Sequence, residues 1–219
     1  MSDLGALREA VCAVNRGLPA AGLVTMHSGN ASGIDRASGR LVIKPSGIDY
    51  ATLTPDMLVE VDLDSGDVIN TKLRPSVDLP HHLYIYRRDP SVGGVIHTHS
   101  NYATAFAACH EPIPLVLTAI ADEFGGEIPC CPFAECDGDE LGRLIFAHRS
   151  AAPAILLANH GVFTWGQDVH AAFKAAVMTE DVAKTVFLAR QLGEPRVIPM
   201  ASAKKYYERY HTRYGQKAA

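Results

Sequence analysis

The 219-residue sequence predicts an α/β fold in which helices alternate with the strands of a mixed sheet. Segments with helical periodicity interleave with short apolar runs along the whole chain. Two strand–turn–strand segments fall early, which argues against a purely parallel sheet. Hydrophobic residues make up 47% and charged residues 20%, an ordinary globular balance with enough apolar material for a core.

Leu4, Leu7, Val11 and Val14 form a helical stripe over residues 3–17, with Ser2 or Asp3 as its N-cap. Gly33-Ile34-Asp35 and Leu41-Val42-Ile43 read as strands joined by a tip at Ser38-Gly39. Residues 57–63 alternate as a strand should, and Asp64-Ser65-Gly66-Asp67 turns them into Val68-Ile69. A helix is expected over 76–88, stopped by Asp89-Pro90. A buried strand follows over 93–98, then an alanine-rich helix over 101–109 and a short strand at Leu115-Val116-Leu117. The next helix, 137–148, has Asp137 or Asp139 as its cap. Strands at 154–157 and 162–164 flank Asn159-His160-Gly161. A long amphipathic helix over 168–192 ends at Gly193, and a last helix covers 201–211. There is no internal repeat and no low-complexity segment.

The formal net charge is −4 with a pI near 6.2, and the basic residues are scattered, so nothing marks a nucleic-acid surface. The five cysteines (Cys12, Cys109, Cys130, Cys131 and Cys136) are odd in number and lack framework spacing, which argues against a secreted disulfide scaffold. The N-terminus lacks a signal pattern, and no run approaches the roughly 20 apolar residues of a membrane span. The expectation is a soluble, cytoplasmic protein with neither nucleic acid nor membrane as a partner.

His97-Thr98-His99 closes the strand over 93–98. Residues i and i+2 of a strand share a face, so two imidazoles are presented side by side with Thr98 pointing away. Two neutral imidazoles make half of a metal site. A third, His160, stands at the end of another apolar strand and is followed by glycine, which permits a sharp turn and a close approach of a ligand. Asp78 is a candidate fourth group, with a competing role as a helix-start charge.

Six segments then line up with a known family. Ser28-Gly29-Asn30-Ala31-Ser32, Lys44-Pro45-Ser46-Gly47, Pro75-Ser76-Val77-Asp78, His97-Thr98-His99, Ile128-Pro129-Cys130 and Asn159-His160-Gly161 occur in the order and spacing of the class II aldolase/adducin superfamily. The sequence resembles that superfamily from about residue 10 onward. Within it, Thr118, Asp122 and Tyr214-Gly215-Gln216 are most similar to the L-ribulose-5-phosphate 4-epimerases. The resemblance implies one domain over 1–219, with a central, mostly antiparallel mixed sheet flanked by helices. It implies a catalytic Zn2+, with Mn2+ or Co2+ as alternatives, held by His97, His99 and His160 and less securely by Asp78. It further implies Asp122 and Tyr214 as acid/base groups, a phosphate cradle from Gly29, Asn30, Lys44, Ser46, Gly47 and Ser76, and Thr118 positioning substrate or water. A homotetramer is implied too, because its assembly lets a tail tyrosine reach a neighbouring subunit's site.

The chemistry expected is conversion of L-ribulose 5-phosphate to D-xylulose 5-phosphate. The C3–C4 bond breaks in a retro-aldol step with a metal-stabilised enediolate, and the aldehyde turns over and re-adds. Release of the aldehyde instead gives an aldolase like the fuculose-phosphate aldolases, the nearest alternative. A non-catalytic adducin-like assembly module is the alternative of another class. The chain departs from the family in two places. Val77 replaces the second serine of the Ser-Ser pair, and His27-Ser28 replaces the usual residues before Gly-Asn. His82, one helical turn after Asp78, is a candidate to orient it.

Overall fold

The computed structural model describes residues 4–135 and 138–216. The proposed caps Ser2, Asp3 and Asp137, and Cys136, lie outside the described residues. Seven strands, β1 (Asn30–Asp35), β2 (Arg40–Ile43), β3 (Val59–Asp62), β4 (Gly94–Thr98), β5 (Cys130–Cys131), β6 (Ala154–Leu157) and β7 (Gly161–Gly166), form one sheet. Its order is β3-β2-β1-β4-β7-β6-β5, and every pairing is antiparallel except β5 with β6. The expected mixed, mostly antiparallel sheet is therefore present.

Strand alternation decides which helices cover which face. Leu41, Ile43, Val95, Ile155, Leu157 and Phe163 point to one side, where α2 (Leu79–Arg88) and α5 (Glu140–His148) supply Leu83, Tyr86, Leu141 and Ile145. Their neighbours Ala31, Val42 and Ile96 point to the other side, against α1 (Leu4–Ala20) and α6 (Val169–Leu192). Leu156 and Val162 also point that way, toward α3 (Asn101–Ala108), α4 (Thr118–Phe124) and α7 (Met200–Arg213). The long helix α6 buries Val169, Ala172, Ala176, Thr179, Ala183 and Val186, a stripe at helical spacing dominated by small residues that lets it lie close on β4 and β7. Asp168 starts it by accepting a 2.8 Å hydrogen bond from the Ala171 N–H.

Two local expectations are corrected. Leu115-Val116-Leu117 is not a strand: Ile113 makes a single bridge to Ile128, and the Leu115 carbonyl accepts from the Ile198 N–H. The triplet is apolar because it packs under the segment entering α7, not because it joins the sheet. Asp122 sits inside α4. The helix expected over 76–88 begins at Leu79, with Asp78 as its cap residue and Pro80 in the first turn, where its missing N–H costs nothing. The turn over 64–67 brings the chain back onto β3 as expected: Val68 bridges Val61, the Asp62 N–H donates to the Asp67 carbonyl at 2.9 Å and the Ile69 N–H to the Glu60 carbonyl at 3.0 Å, although the return is too short to form a strand of its own.

One polar chain crosses the α2 side of the core. The Ser32 hydroxyl bonds His82 Nδ1 at 2.7 Å and the Tyr86 hydroxyl at 2.9 Å, all three side chains buried. Burial pushes His82 down to about 3 from its usual 6.5. Below pH 6.5 the unfolded chain takes up a proton that the folded protein refuses. His82 therefore contributes stability that is complete above about pH 6.5 and is lost as pH falls toward 3. The expected loss between pH 6.5 and 4 is on the order of 2–3 kcal/mol from this residue. Urea unfolding across that range checks it, and a pH-independent midpoint would show that His82 is not held neutral.

Candidate metal centre and anion cleft

Asn30, His97 and Phe163 stand directly opposite one another on β1, β4 and β7, all on the α2 side. His99 follows two residues after His97, just beyond the strand end, and His160 stands in the turn joining β6 to β7. One nitrogen from each of His97, His99 and His160 falls within 4.8 Å of the others. His97 Nε2 and His99 Nε2 are 2.9 Å apart. Two nitrogens on one tetrahedral zinc stand about 3.3 Å apart, so a small outward shift admits an ion.

Three features prepare the cluster. His97 Nδ1 donates to the Val162 carbonyl at 2.9 Å, which leaves Nε2 as the unprotonated nitrogen, free to meet a metal. Burial pushes His97 down to about 4 and also lowers His99 and His160, so the imidazoles are neutral at pH 7, as ligands must be. Gly161 supplies the room, because a Cβ there would come within 2.8 Å of the His99 ring and 2.5 Å of the Thr98 carbonyl. The sequence suggested that this glycine serves the turn and the approach of a ligand. The structure shows that it makes space for the clustered imidazoles themselves.

Helix α3 begins immediately after this pair, and Glu180 of α6 caps it. The two carboxylate oxygens accept from the Tyr102 and Ala103 N–H groups at 3.0 and 2.9 Å. No local motif announces that contact, since its partners lie 77 and 78 residues apart.

Beside the cluster opens a cleft of about 240 Å³ whose lining includes His97, His99 and His160 together with Gly29, Asn30, Lys44, Ser46, Gly47, Ser76 and Asp78. The residues expected to cradle a phosphate and those expected to hold a metal therefore share one wall, Thr118 excepted. The Tyr50 hydroxyl is within 2.8 Å of the Ser28 carbonyl and 2.7 Å of the Gly29 carbonyl and pins that turn. Gly29 has φ +78°, and a Cβ there would stand 2.8 Å from the His97 carbonyl, so the turn lies flush on β4 only with glycine. The Ser46 and Ser76 N–H groups are used by the Arg74 and Lys44 carbonyls and the Ser76 hydroxyl is taken up by Asn30 and Asp78, so Ser46 faces a ligand with its hydroxyl alone. Lys44 is buried with its ammonium over the Tyr50 ring at 4.6 Å, and burial lowers its pKa. Val77 also lines the cleft and is 80% exposed, an apolar side chain at its rim.

Asp78 Oδ2 accepts from Asn30 Nδ2 at 2.7 Å and from the Ser76 hydroxyl at 3.2 Å. Burial works against its charge, but the nearby His97 and His82 and the Asn30 amide outweigh this and hold the carboxyl below its usual range. His82 does not orient Asp78 by hydrogen bonding, because its Nδ1 is committed to Ser32 and its buried Nε2 makes no hydrogen bond; Asn30 and Ser76 do that work.

The remaining expected site residues lie elsewhere in the same chain. Thr118 is exposed at the first turn of α4. Asp122 lies on α4, where its Oδ1 is 3.5 Å from Arg209 of α7. Tyr214 ends α7, is 72% exposed and stacks on Tyr210 at 4.9 Å. Neither Asp122 nor Tyr214 lines the cleft of its own chain.

A single mostly antiparallel sheet, with three imidazoles at the adjoining ends of β4 and β7 and a hydroxyl-, amide- and lysine-lined cleft beside them, defines an α/β protein with a candidate divalent-metal centre. Residues 9–187 match the model of the class II aldolase and adducin N-terminal domain, and the chain belongs to that family. It is similar to a solved L-fuculose 1-phosphate aldolase at 28% identity, with 96% of this chain and 98% of that one covered and a TM-score of 0.86. It is also similar to YgbL from Klebsiella pneumoniae at 25% identity, with 94% and 100% covered and a TM-score of 0.82. The L-fuculose-1-phosphate aldolase of Thermus thermophilus shares the fold at 24% identity, with 88% and 100% covered and a TM-score of 0.73. Among the described residues no helix is long and apolar enough to cross a membrane, and Cys12, Cys109, Cys130 and Cys131 are unpaired.

Proposed function

We propose that this protein is a cytoplasmic, zinc-dependent sugar-phosphate 4-epimerase that interconverts L-ribulose 5-phosphate and D-xylulose 5-phosphate. The observation that carries the reading is the shared wall of the cleft, where three converging neutral imidazoles stand beside a lysine and hydroxyl groups suited to a phosphate. Zn2+ held by His97, His99 and His160, or Mn2+ or Co2+ in its place, supplies Lewis-acid stabilisation of the negative charge that develops on the ketose oxygens as C3–C4 breaks. Asp78, fixed by Asn30 and Ser76, is a fourth group at that centre. With the Asn30 amide and the Ser76 hydroxyl committed to Asp78, Lys44, the Ser46 hydroxyl and the turns at Gly29 and Gly47 grip the phosphate and hold the sugar still while the bond is cleaved.

Epimerisation needs proton transfer on both faces of the released aldehyde. We assign it to Asp122 and Tyr214 of a neighbouring copy in a homotetramer. That assignment is supported by their place on α4 and α7 outside their own cleft and by the exposure of Tyr214. A second reading, an aldolase that releases the aldehyde, is favoured by the likeness to L-fuculose 1-phosphate aldolase and by Asp78 being the only carboxylate lining the cleft among the described residues. Incubation of the metal-loaded protein with L-ribulose 5-phosphate separates the two. D-xylulose 5-phosphate is the expected product. Accumulation of dihydroxyacetone and glycolaldehyde phosphate would establish the aldolase instead, and neither product would remove both.

A further inference from the structure

Phe163 is fully buried and packs against His97, one member of the cluster. Its ring lies 4.7 Å from that of His97 at an interplanar angle of 22°, a stacked contact between cross-strand neighbours. His82 meets the same ring edge-on at 5.4 Å, and His81 does so at 6.3 Å. His82 is itself fixed through Ser32 to Tyr86. An unbroken series of packed groups thus runs from Tyr86 through Ser32, His82 and Phe163 to His97.

The Val162 carbonyl selects the His97 tautomer but leaves the ring free to pivot about that hydrogen bond. A flat aromatic face stacked on the imidazole removes the pivot, because turning the ring would break van der Waals contact across its whole area. We propose that Phe163 is a positioning residue for the metal centre: its face sets the plane of His97, and hence the direction in which His97 Nε2 points. The proposal rests on His97 being a metal ligand. It adds a residue that the sequence presents as an ordinary strand phenylalanine and that cannot itself bind an ion.

The test uses purified, metal-free full-length protein, the parent beside Phe163→Leu and Phe163→Met, each confirmed folded by circular dichroism. Ile155→Ala serves as a control, because Ile155 is the next residue along the same cross-strand row and deleting its buried side chain loosens the same core. Zn2+ affinity is measured by competition with a chelator, and Co2+ is added as a probe whose visible absorption reports coordination geometry. Both Phe163 variants are expected to bind Zn2+ roughly 10- to 100-fold more weakly and to show a shifted Co2+ band, while Ile155→Ala keeps parental values at comparable or lower stability. Parental affinity and spectrum in a folded Phe163 variant would overturn the proposal, as would equal changes in Ile155→Ala. If neither Phe163 variant folds while Ile155→Ala does, Phe163 is structural and the proposal also fails. A parent protein that binds neither ion would instead remove the three-histidine reading itself, and this proposal with it.

Discussion

Replacing His97 with alanine is expected to abolish both metal binding and turnover. His97 is the most buried member of the trio, its Nδ1 is committed to Val162, and its Nε2 lies 2.9 Å from that of His99. Its loss leaves two imidazoles and a carboxylate already held by Asn30 and Ser76, too few well-placed donors for a tight tetrahedral site. Because burial holds His97 down to about 4, the parent site should keep its metal in mildly acidic buffer, where exposed histidines are protonated and release theirs. Elemental analysis after dialysis checks both points. Full metal occupancy in His97→Ala would refute the ligand assignment, whatever the activity.

Tyr214→Phe and Asp122→Asn should each lower epimerase turnover by roughly 100- to 10,000-fold, the usual worth of a positioned acid or base. Metal content and fold should be untouched, since both residues lie outside the cleft of their own chain. Cleavage of C3–C4 needs proton transfer on one face only, so one of the two variants should still join dihydroxyacetone to glycolaldehyde phosphate, giving mainly one C4 stereoisomer. The shared-site arrangement makes a further demand. If the two residues serve a neighbour's cleft, mixing Tyr214→Phe chains with His97→Ala chains should restore activity in hybrid assemblies, because some clefts then pair an intact metal site with an intact tyrosine. No recovery in verified hybrids, or parental rates in both single variants, would return the proton transfers to groups within one chain.

What could be read from the sequence followed from local periodicity. The same-face placement of His97 and His99 needs only the two-residue repeat of a strand, and the structure bears it out with ring centroids 4.7 Å apart. The hairpin of β1 and β2 and the long helix α6 were legible in the same way. Strand β5 was not, because two residues paired in parallel carry no alternation. Leu115-Val116-Leu117 misled because an apolar triplet packed beneath a loop has the composition of a strand. Phe163, Tyr50, Glu180 and the Val162 carbonyl were invisible for another reason: each acts on residues far away in the chain, and nothing in their own neighbourhood distinguishes them. Helix α4, which carries Asp122, was not read because its seven residues span too few turns to show a helical stripe.

The pairing of β4 with β7 has a kinetic meaning as well. It joins His97 to Val162 across 65 residues, and α3, α4, β5, α5 and β6 all lie between them in the chain. Contacts of such separation carry a large loop-closure cost and form slowly. The three imidazoles therefore meet only once the two halves of the sheet have closed, and before that the chain offers an ion no more than the His97–His99 pair. An ion that binds only after closure does little to hasten folding. It acts on the reverse reaction, since the sheet cannot open along this seam without first surrendering a ligand. A metal held by these three imidazoles would act as a clasp on the central seam of the sheet, and its removal is expected to be felt chiefly as a faster rate of unfolding.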